Sequence, residues 1–556
     1  METKNSKSID SPLTDELKTQ NCRSGSAIIL VVVSMIILAV LGLGLLTVAY
    51  GVRHKAIRFK NETVARLAAE AGYEQAVYWM IQQQDVPSAI QNGVPGVSGV
   101  LNFLDADSDY RIEFFTFVGY RPVYRVISTG HSGMFDRTVD VLVVQAVSGW
   151  DMGQCRVATG TSSTSPVYFV NGETIDIPLH INKLNDSPDN RDIYISGSPR
   201  FLRPVGMGES RYAGKTDKYA SVMGLFEGGI YFDQPDSKVA DEASIQSKVD
   251  RFKNSTAASY KFTPAAPASV TPKYPAVQLE FFVESGVGKV RITNNCTVKA
   301  NTAGTYDYSV VPGSGGTKFQ KYNIYAYHFK PNSEAQVVVP IESTYVPQKF
   351  GSYESEPGGQ IFVDGSVVIG SSTYTDMVVK GKITVVATGN IWVADSIKVD
   401  GPHDASGVPS ADNPNILGLI ANGVVKVADP GLSPSSVPSV SGQTYQPIGI
   451  TKSGYSGRYL PDPTVVEAAI TVGGGGWGAE NVGGRKEFSS PQDDLIVRGS
   501  ITEVIRGVVG LTGSDGYLKH YYLDERLLEG ILPGDIWLRG KYIPAPAGWH
   551  DYRASN

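Results

Sequence analysis

Residues 27–50 read AIILVVVSMIILAVLGLGLLTVAY, an uncharged stretch whose polar side chains are Ser34 and Thr47. As an α-helix it would span about 36 Å, more than the roughly 30 Å hydrocarbon core of a bilayer. A helix in the core of a soluble protein keeps a polar face, and this stretch has none. It therefore predicts a helix that crosses a membrane and contacts lipid through residues 27–50.

The polar residues 1–25 precede this stretch and end in Arg23-Ser24-Gly25. A cleavable secretory signal has a shorter apolar region with its cleavage site behind it, so the order here is different. It resembles the leader of the prepilin family, which comprises type IV pilins, minor pilins and type II secretion pseudopilins. In that family prepilin peptidase cuts after a Gly that follows a basic residue, and the apolar helix stays in the mature protein. The resemblance implies prepilin peptidase as a partner and cleavage between Gly25 and Ser26.

One position departs from the family pattern. Most members carry Glu at the fifth mature position, and here that position is Leu30. Some minor pilins and pseudopilins lack this Glu, so the resemblance points to PilX-like minor members rather than to major pilins. An uncleaved signal anchor is the alternative that the residues leave open.

Basic residues lie on both sides of the apolar stretch. Lys18 and Arg23 precede it, and a larger basic group follows it: Arg53, Lys55, Arg58, Lys60 and Arg66. If the basic residues on the two sides are simply counted, the positive-inside rule places the C-terminal part in the cytoplasm. Long domains, however, translocate largely regardless of charge. The resemblance implies the opposite orientation. We therefore expect a single-pass inner-membrane protein with a periplasmic or extracellular C-terminal domain.

The helix is predicted to continue beyond the bilayer, because residues 53–84 lack Pro and are rich in helix formers. Asp85 and Pro87 are expected to end it after roughly 58 residues, or about 87 Å. An apolar stripe runs along this extension: Ile57, Val64, Leu67, Ala68, Ala71, Tyr78 and Ile81. Half of the stripe is expected to pack on the chain's own domain. The resemblance implies that the other half packs on other pilin-like subunits.

Three β-branched segments come next, at residues 110–117, 123–129 and 138–145, and Gly-rich turns separate them. They predict an antiparallel meander. A long N-terminal helix followed by a meander is similar to the pilin plan, so the resemblance covers about residues 23–147. It implies an α+β module made of a leader (1–25), a transmembrane and amphipathic helix (26–86) and a pilin-like meander (87–148).

Composition and cysteine content narrow the class of the remaining chain. With 60 Gly and 29 Tyr among 556 residues, it is expected to be β-rich. A net charge of −6 without a basic block gives no support to nucleic-acid binding. Cys22 lies in the presumed leader, which leaves Cys155 and Cys296 as a possible disulfide in an oxidising compartment. Two separate thiols are the alternative.

A degenerate repeat marks the C-terminal half. Residues 364–369, 388–393 and 422–427 share a polar residue, a Gly, one spacer and two apolar positions separated by one residue. Further copies are suspected at residues 227–232 and 498–503. Because one such unit cannot bury its own apolar face, the repeat predicts a parallel β-helix or similar solenoid. A β-sandwich is the alternative.

The predicted division of this part is a β-rich region (149–352) followed by a β-solenoid with a C-terminal cap (353–556). The cap is expected to close with a short helix at Asp524-Glu525-Arg526. Solenoids need such a covering segment to hide the last open strand edge.

The sequence predicts no catalytic, metal or cofactor site. Seven histidines are scattered singly, and no nucleophile motif occurs. Four aspartates lie near Gly-rich turns, where Asp is common in any case: Asp364, Asp395, Asp400 and Asp404. The resemblance implies a structural subunit that joins a type IV pilus or type II secretion pseudopilus and displays a β-rich ectodomain at the cell surface. The alternative is a membrane-tethered β-helix that binds or cleaves a surface polysaccharide.

Overall fold

The computed structural model describes the following residues of the chain: 24–82, 90, 97–103, 106–118, 121–145, 149–154, 157–159, 163–183, 191–213, 216–237, 240, 242–264, 274–300, 324–331, 337–341, 359–370, 377–428, 443–447, 463–479, 493–511, 516–529, 532–533 and 542–553. The leader prediction for residues 1–23 and the predicted stop at Asp85 and Pro87 lie outside this set.

The long N-terminal helix is present as predicted. Helix α1 (Ser24–Gln82) has 59 residues and is unbroken. Its apolar part has a mean hydropathy of 3.1 and is not covered by any described part of the chain. By length and composition, α1 can cross a membrane.

The rest of the described chain is mostly β. It begins with four long strands: β1 (Val97–Phe103), β2 (Ala106–Val118), β3 (Arg121–Ser132) and β4 (Phe135–Gln145). Short strands follow: β5 (Trp150–Gln154), β6 (Val157–Thr159), β7 (Ser163–Ser165), β8 (Val167–Val170), β9 (Thr174–Asp176), β10 (Leu179–Ile181), β11 (Ile193–Ser196), β12 (Arg200–Phe201), β13 (Val205–Met207), β14 (Tyr212–Ala213), β15 (Thr216–Asp217) and β16 (Ile230–Tyr231).

Helix α2 (Glu242–Ser255) precedes the second group of strands. These are β17 (Lys261–Phe262), β18 (Tyr274–Glu284), β19 (Val287–Ala300), β20 (Ile324–Pro331), β21 (Val337–Pro340), β22 (Gln360–Val363), β23 (Ser366–Ile369), β24 (Met377–Val379), β25 (Lys382–Ala387), β26 (Ile391–Val393), β27 (Ile397–Val399), β28 (Ile416–Ala421), β29 (Val425–Val427), β30 (Gln443–Pro447), β31 (Thr464–Val472), β32 (Trp477–Ala479), β33 (Asp493–Ile505), β34 (Tyr517–Leu523) and β35 (Tyr542–Arg553). Short 3₁₀ helices lie at Ala220–Leu225, Ala258–Tyr260 and Glu525–Glu529.

The first sheet is antiparallel and joins the two ends of the described chain. Its order is β1-β2-β3-β4-β35, and the three predicted meander segments form β2, β3 and β4. The fifth strand comes from the end of the chain, with Tyr542 opposite Gln145. This differs from the predicted division, in which residues 353–556 belonged to the solenoid and its cap. The described residues between 150 and 529 therefore form a head inserted between the fourth and fifth strands of the sheet.

A ladder of ten parallel strands runs through the head, in the order β16-β13-β10-β5-β33-β31-β28-β25-β22-β17. From β5 the chain moves outward to β16, and from β17 it moves inward to β33. The first and last strands of this path, β5 and β33, meet in the middle, where Trp150 pairs with Ile501. The ladder thus crosses the predicted boundary at residue 352, and the suspected repeat copies at 227–232 and 498–503 contribute to this ladder.

A second parallel ladder carries the predicted repeat, and equivalent positions of its copies are paired. Strands β18, β23, β26, β29 and β32 are neighbours, and Val367, Ile391, Val425 and Trp477 occupy one row. The side chains of both ladders share one hydrophobic core, which includes Ile361 and Ile391. Helix α2 covers the opposite face of the first ladder, so strands such as β25 are buried on both sides. Burial on both faces explains why these strands are continuously apolar.

The turn glycines of the repeat stack on one another. Gly389 N donates to Gly365 O at 2.8 Å, and Gly423 N donates to Gly389 O at 2.9 Å. A Cβ on Gly389 would lie 3.0 Å from the Gly365 carbonyl, so close stacking requires Gly here.

Candidate functional site

Helix α1 has two different faces beyond the apolar span. One face packs on the antiparallel sheet and is made largely of small residues: Ala65, Ala68, Ala69, Gly72, Tyr73, Ala76, Val77 and Met80. The other face stays open, with Ile57 48%, Leu67 41% and Tyr78 58% exposed. These three residues belong to the predicted apolar stripe, whereas Ala68 of the same stripe is buried and Ile81 packs against the core of the module. The packed face escaped the prediction because alanine and glycine give little hydrophobic contrast.

The small residues allow α1 to approach the sheet very closely. A Cβ on Gly130 of β3 would overlap the Ala65 carbonyl oxygen and the Ala69 backbone nitrogen. On the helix side, a Cβ on Gly72 would overlap Ser128 Oγ. Helix and sheet thus contact each other through their backbones, and larger side chains at either glycine would separate them.

An ionic network fixes α1 to both β4 and the last strand. Arg137 Nη1 donates to Glu62 Oε1 at 3.3 Å, and Arg137 Nη2 donates to Asp551 Oδ1 at 2.9 Å. Asp551 Oδ2 also lies 3.3 Å from Arg66 Nε. Because Arg137 and Asp551 are both largely buried, their interaction is less screened by water than a surface pair.

His131 links three strands at the end of the sheet near the membrane-capable part of α1. Its Nε2 lies 2.8 Å from Asp109 Oδ1, and its Nδ1 lies 2.8 Å from Asp136 Oδ1. Hydrogen bonds to these two carboxylates raise the pKa of His131. Both contacts are best satisfied by the imidazolium, in which both ring nitrogens donate.

The predicted cleavage and disulfide residues are only partly described. Gly25 and Ser26 lie in the first turn of α1. Cys155 lies outside the described residues, and Cys296 lies on β19 opposite Ala276. Cleavage and disulfide formation therefore stay predictions.

The four aspartates that lie near Gly-rich turns in the sequence have different surroundings in the structure. Asp364 accepts a hydrogen bond from Thr388 at 3.1 Å, and Asp400 pairs with Lys380 at 3.2 Å. Asp404 accepts the backbone N–H groups of residues 406 and 408, whereas Asp395 is fully buried. Within the described residues, no group of three His, Cys, Asp or Glu side chains is arranged to hold a metal ion.

A buried carboxylate on the first ladder was not predicted. Glu467 Oε2 lies 3.0 Å from His403 Nε2 and accepts the Val399 N–H at 2.7 Å, while its Oε1 accepts Arg498 Nη1 at 2.9 Å. Glu467 and Arg498 meet because β31 and β33 are neighbours, and the loop after β27 brings His403 to them. No short motif connects the three residues. The cluster fastens the loop at residues 400–412 to the ladder.

A second buried cluster lies where β5 meets β33. Glu503 accepts hydrogen bonds from Trp150 Nε1 at 2.8 Å and from the Trp477 backbone N–H at 2.8 Å. Burial raises the pKa of Glu503, and the nearby Arg506 opposes that effect. Arg506 also lies 5.0 Å above the Trp150 ring and donates to the Trp477 carbonyl at 2.9 Å. These contacts join the beginning of the head to its end.

In the part of the chain that the structure describes, these features define a membrane-capable N-terminal helix that packs on an antiparallel sheet and carries a large, mostly β head. No protein-family model matches the chain, and no curated protein matches it. Among solved structures, the competence-associated pilin ComZ from Thermus thermophilus aligns with 89% of this chain and 98% of its own length, at 11% sequence identity and a TM-score of 0.25. A TM-score of this size does not establish a shared fold.

Proposed function

We propose that the protein is a minor pilin or pseudopilin-like structural subunit. In this proposal α1 anchors it in the inner membrane, and it assembles with other pilin-like subunits into a type IV pilus or a type II secretion pseudopilus. The β-rich head is displayed in the periplasm or at the cell surface. The role is structural rather than enzymatic.

The proposal rests on the difference between the two faces of α1. The face with Ala65, Gly72 and Ala76 is used by the chain's own sheet, whereas Leu67 and Tyr78 on the open face have large exposed fractions. An exposed apolar stripe that continues a membrane-capable helix is a surface for neighbouring helices. Side-by-side packing of such helices would bury the open face and keep each sheet on the outside.

The head is proposed to be a β-solenoid. Its two parallel ladders, their common core and the stacked turn glycines support this architecture. Since the head begins and ends beside the antiparallel sheet, it would project from the assembly without interrupting contacts between helices.

N-terminal sequencing of the protein purified from its own cells is the first test. The proposal expects a mature chain that begins at Ser26 and a full-length chain when prepilin peptidase is deleted. A mature protein that begins at Met1 in the presence of the peptidase would contradict the proposal.

Photo-crosslinking tests the assembly surface. A benzoylphenylalanine at Leu67 or Tyr78 should form adducts whose second component is a prepilin-derived subunit or another copy of this chain. The matched control is the same probe at Asp412, an exposed position on the head. Equal adduct yields from all three positions, or adducts without a pilin-like component, would contradict the proposed packing.

A further inference from the structure

Four basic side chains follow the apolar span of α1 at once: Arg53, Lys55, Arg58 and Lys60. All four are exposed, and no acidic residue occurs among residues 51–60. We call these four residues the basic collar.

The collar surrounds the helix. With 3.6 residues per turn, Arg53 and Lys60 lie within about 20° of each other, while Lys55 and Arg58 lie on the opposite side. A protein partner that docks on α1 would meet one side. A layer of small anionic groups around the whole helix meets every member.

The basic collar also lies at the level of the lipid headgroups. If the hydrocarbon core ends near Tyr50, these residues rise about 4.5–15 Å above it. The polar headgroup layer is about 5–8 Å thick on each side of a bilayer. Lysine and arginine can extend their flexible side chains by several ångströms, so all four charges can reach this layer.

The antiparallel sheet leaves this layer accessible. Its contacts with this part of α1 include the Arg58 guanidinium over the Phe135 ring, at 5.7 Å, and the close approach of Gly133 to Asn61. Met134, at the tip of the same hairpin, is 83% exposed. Residues 52–57 are exposed on all sides.

We propose that the basic collar binds the phosphate groups of anionic phospholipids in the bilayer that holds α1. This inference rests on the membrane anchoring in the proposed function and adds the lipid class. Juxtamembrane basic clusters attract anionic lipid, and the attraction weakens within a Debye length of the surface. Binding would hold the head at a fixed height before the subunit enters an assembly.

The test uses the full-length protein reconstituted into vesicles of phosphatidylcholine and phosphatidylglycerol at a 7:3 ratio, chosen for the experiment at about 0.1 M salt. After gentle re-extraction, mass spectrometry counts the lipids that stay with the protein. In the lipid retained by the wild type, the ratio of phosphatidylglycerol to phosphatidylcholine should be about fivefold higher than in the bulk vesicle, with less enrichment at higher salt. The variant Arg53→Gln, Lys55→Gln, Arg58→Gln, Lys60→Gln should return to the bulk ratio.

Two matched variants separate charge from folding and from overall net charge. Arg53→Lys, Lys55→Arg, Arg58→Lys, Lys60→Arg keeps the charges and should keep the enrichment. Arg111→Gln, Arg200→Gln, Lys253→Gln, Lys261→Gln removes four exposed charges elsewhere and should also keep it.

Three results would overturn the inference: no enrichment in the wild type, enrichment that survives in the collar variant, or equal loss in the variant altered elsewhere. Flotation of the same vesicles distinguishes this failure from that of the proposed function. If the protein floats with the vesicles but shows no lipid preference, only the proposed lipid binding by the basic collar is refuted. A protein that does not float with vesicles of any composition refutes the anchor and the collar together.

Discussion

Arg137 Nη2 donates a hydrogen bond of 2.9 Å to Asp551 Oδ1, although the two residues are 414 positions apart in the chain. Arg137 lies on β4 and Asp551 on β35, and Arg137 also reaches Glu62 of α1. The end of the chain is therefore part of the module that begins with the membrane-capable helix.

Replacement of Asp551 tests this connection. Asp551→Ala leaves the largely buried Arg137 with fewer acceptors, which should lower the stability of the antiparallel sheet by about 1–3 kcal/mol. Amide hydrogen exchange of β3, β4 and residues 62–80 in detergent measures this local stability. The control Glu74→Ala removes an exposed carboxylate of the same helix and should leave exchange nearly unchanged. Unaltered exchange in Asp551→Ala would mean that β35 is not needed for the module.

Gly130→Ala tests the close contact between helix and sheet. The added methyl would overlap the Ala65 backbone, so α1 should move outward and the module should lose about 1–3 kcal/mol. Faster exchange confined to α1 and β3 is the expected signature. Gly51→Ala is the matched control, since nothing lies within 4 Å of its Cβ position. Equal exchange in the two variants would contradict the packed geometry.

The contacts of His131 with Asp109 and Asp136 predict that the stability of the antiparallel sheet depends on pH. The pKa of His131 is raised in the folded protein, so its contribution to stability is complete below the unfolded pKa of about 6.5 and is lost as pH rises through the folded value. The stability difference between wild type and His131→Asn should thus be larger at pH 5.5 than at pH 9. Exchange of β2 and β4 at both pH values, corrected for intrinsic rates, measures it.

A second substitution separates this effect from simple packing. Asp136→Asn removes one of the two carboxylates that hold His131, so the pH-dependent part of the difference should shrink. A pH-independent difference in both backgrounds would show that His131 acts only by filling space.

Glu503→Gln tests the junction between the two ends of the head. The substitution removes the charge beside the buried Arg506 and places an amide donor among backbone and indole donors, so a loss of about 3–5 kcal/mol is expected. Chemical denaturation followed by tryptophan fluorescence suits this site, because Trp150 and Trp477 are both in contact with Glu503. The control Glu227→Gln alters an exposed pair with Arg200 and should change the midpoint much less. Equal midpoints for the two variants would contradict a supporting role for the junction.

The amino-acid sequence by itself determined the elements whose signals are local. An uncharged run followed by helix formers specified α1, because the residues of a helix interact with neighbours three and four positions away in the sequence. The repeat at 364–369, 388–393 and 422–427 indicated which residues are equivalent, and the structure pairs these residues in neighbouring strands. These are free-energy preferences of short segments, and they can be recognised without knowledge of the rest of the chain.

The tertiary structure alone decided which segments meet. It placed the small-residue face of α1 on the sheet, where the two backbones approach closely, and left larger apolar side chains such as Leu67 outside. It also brought β35 to β4 and β5 to β33, and it gathered Glu467, His403 and Arg498 into one cluster. Such pairings depend on the geometry of the whole fold. When two residues are hundreds of positions apart, no local sequence pattern predicts that they are in contact.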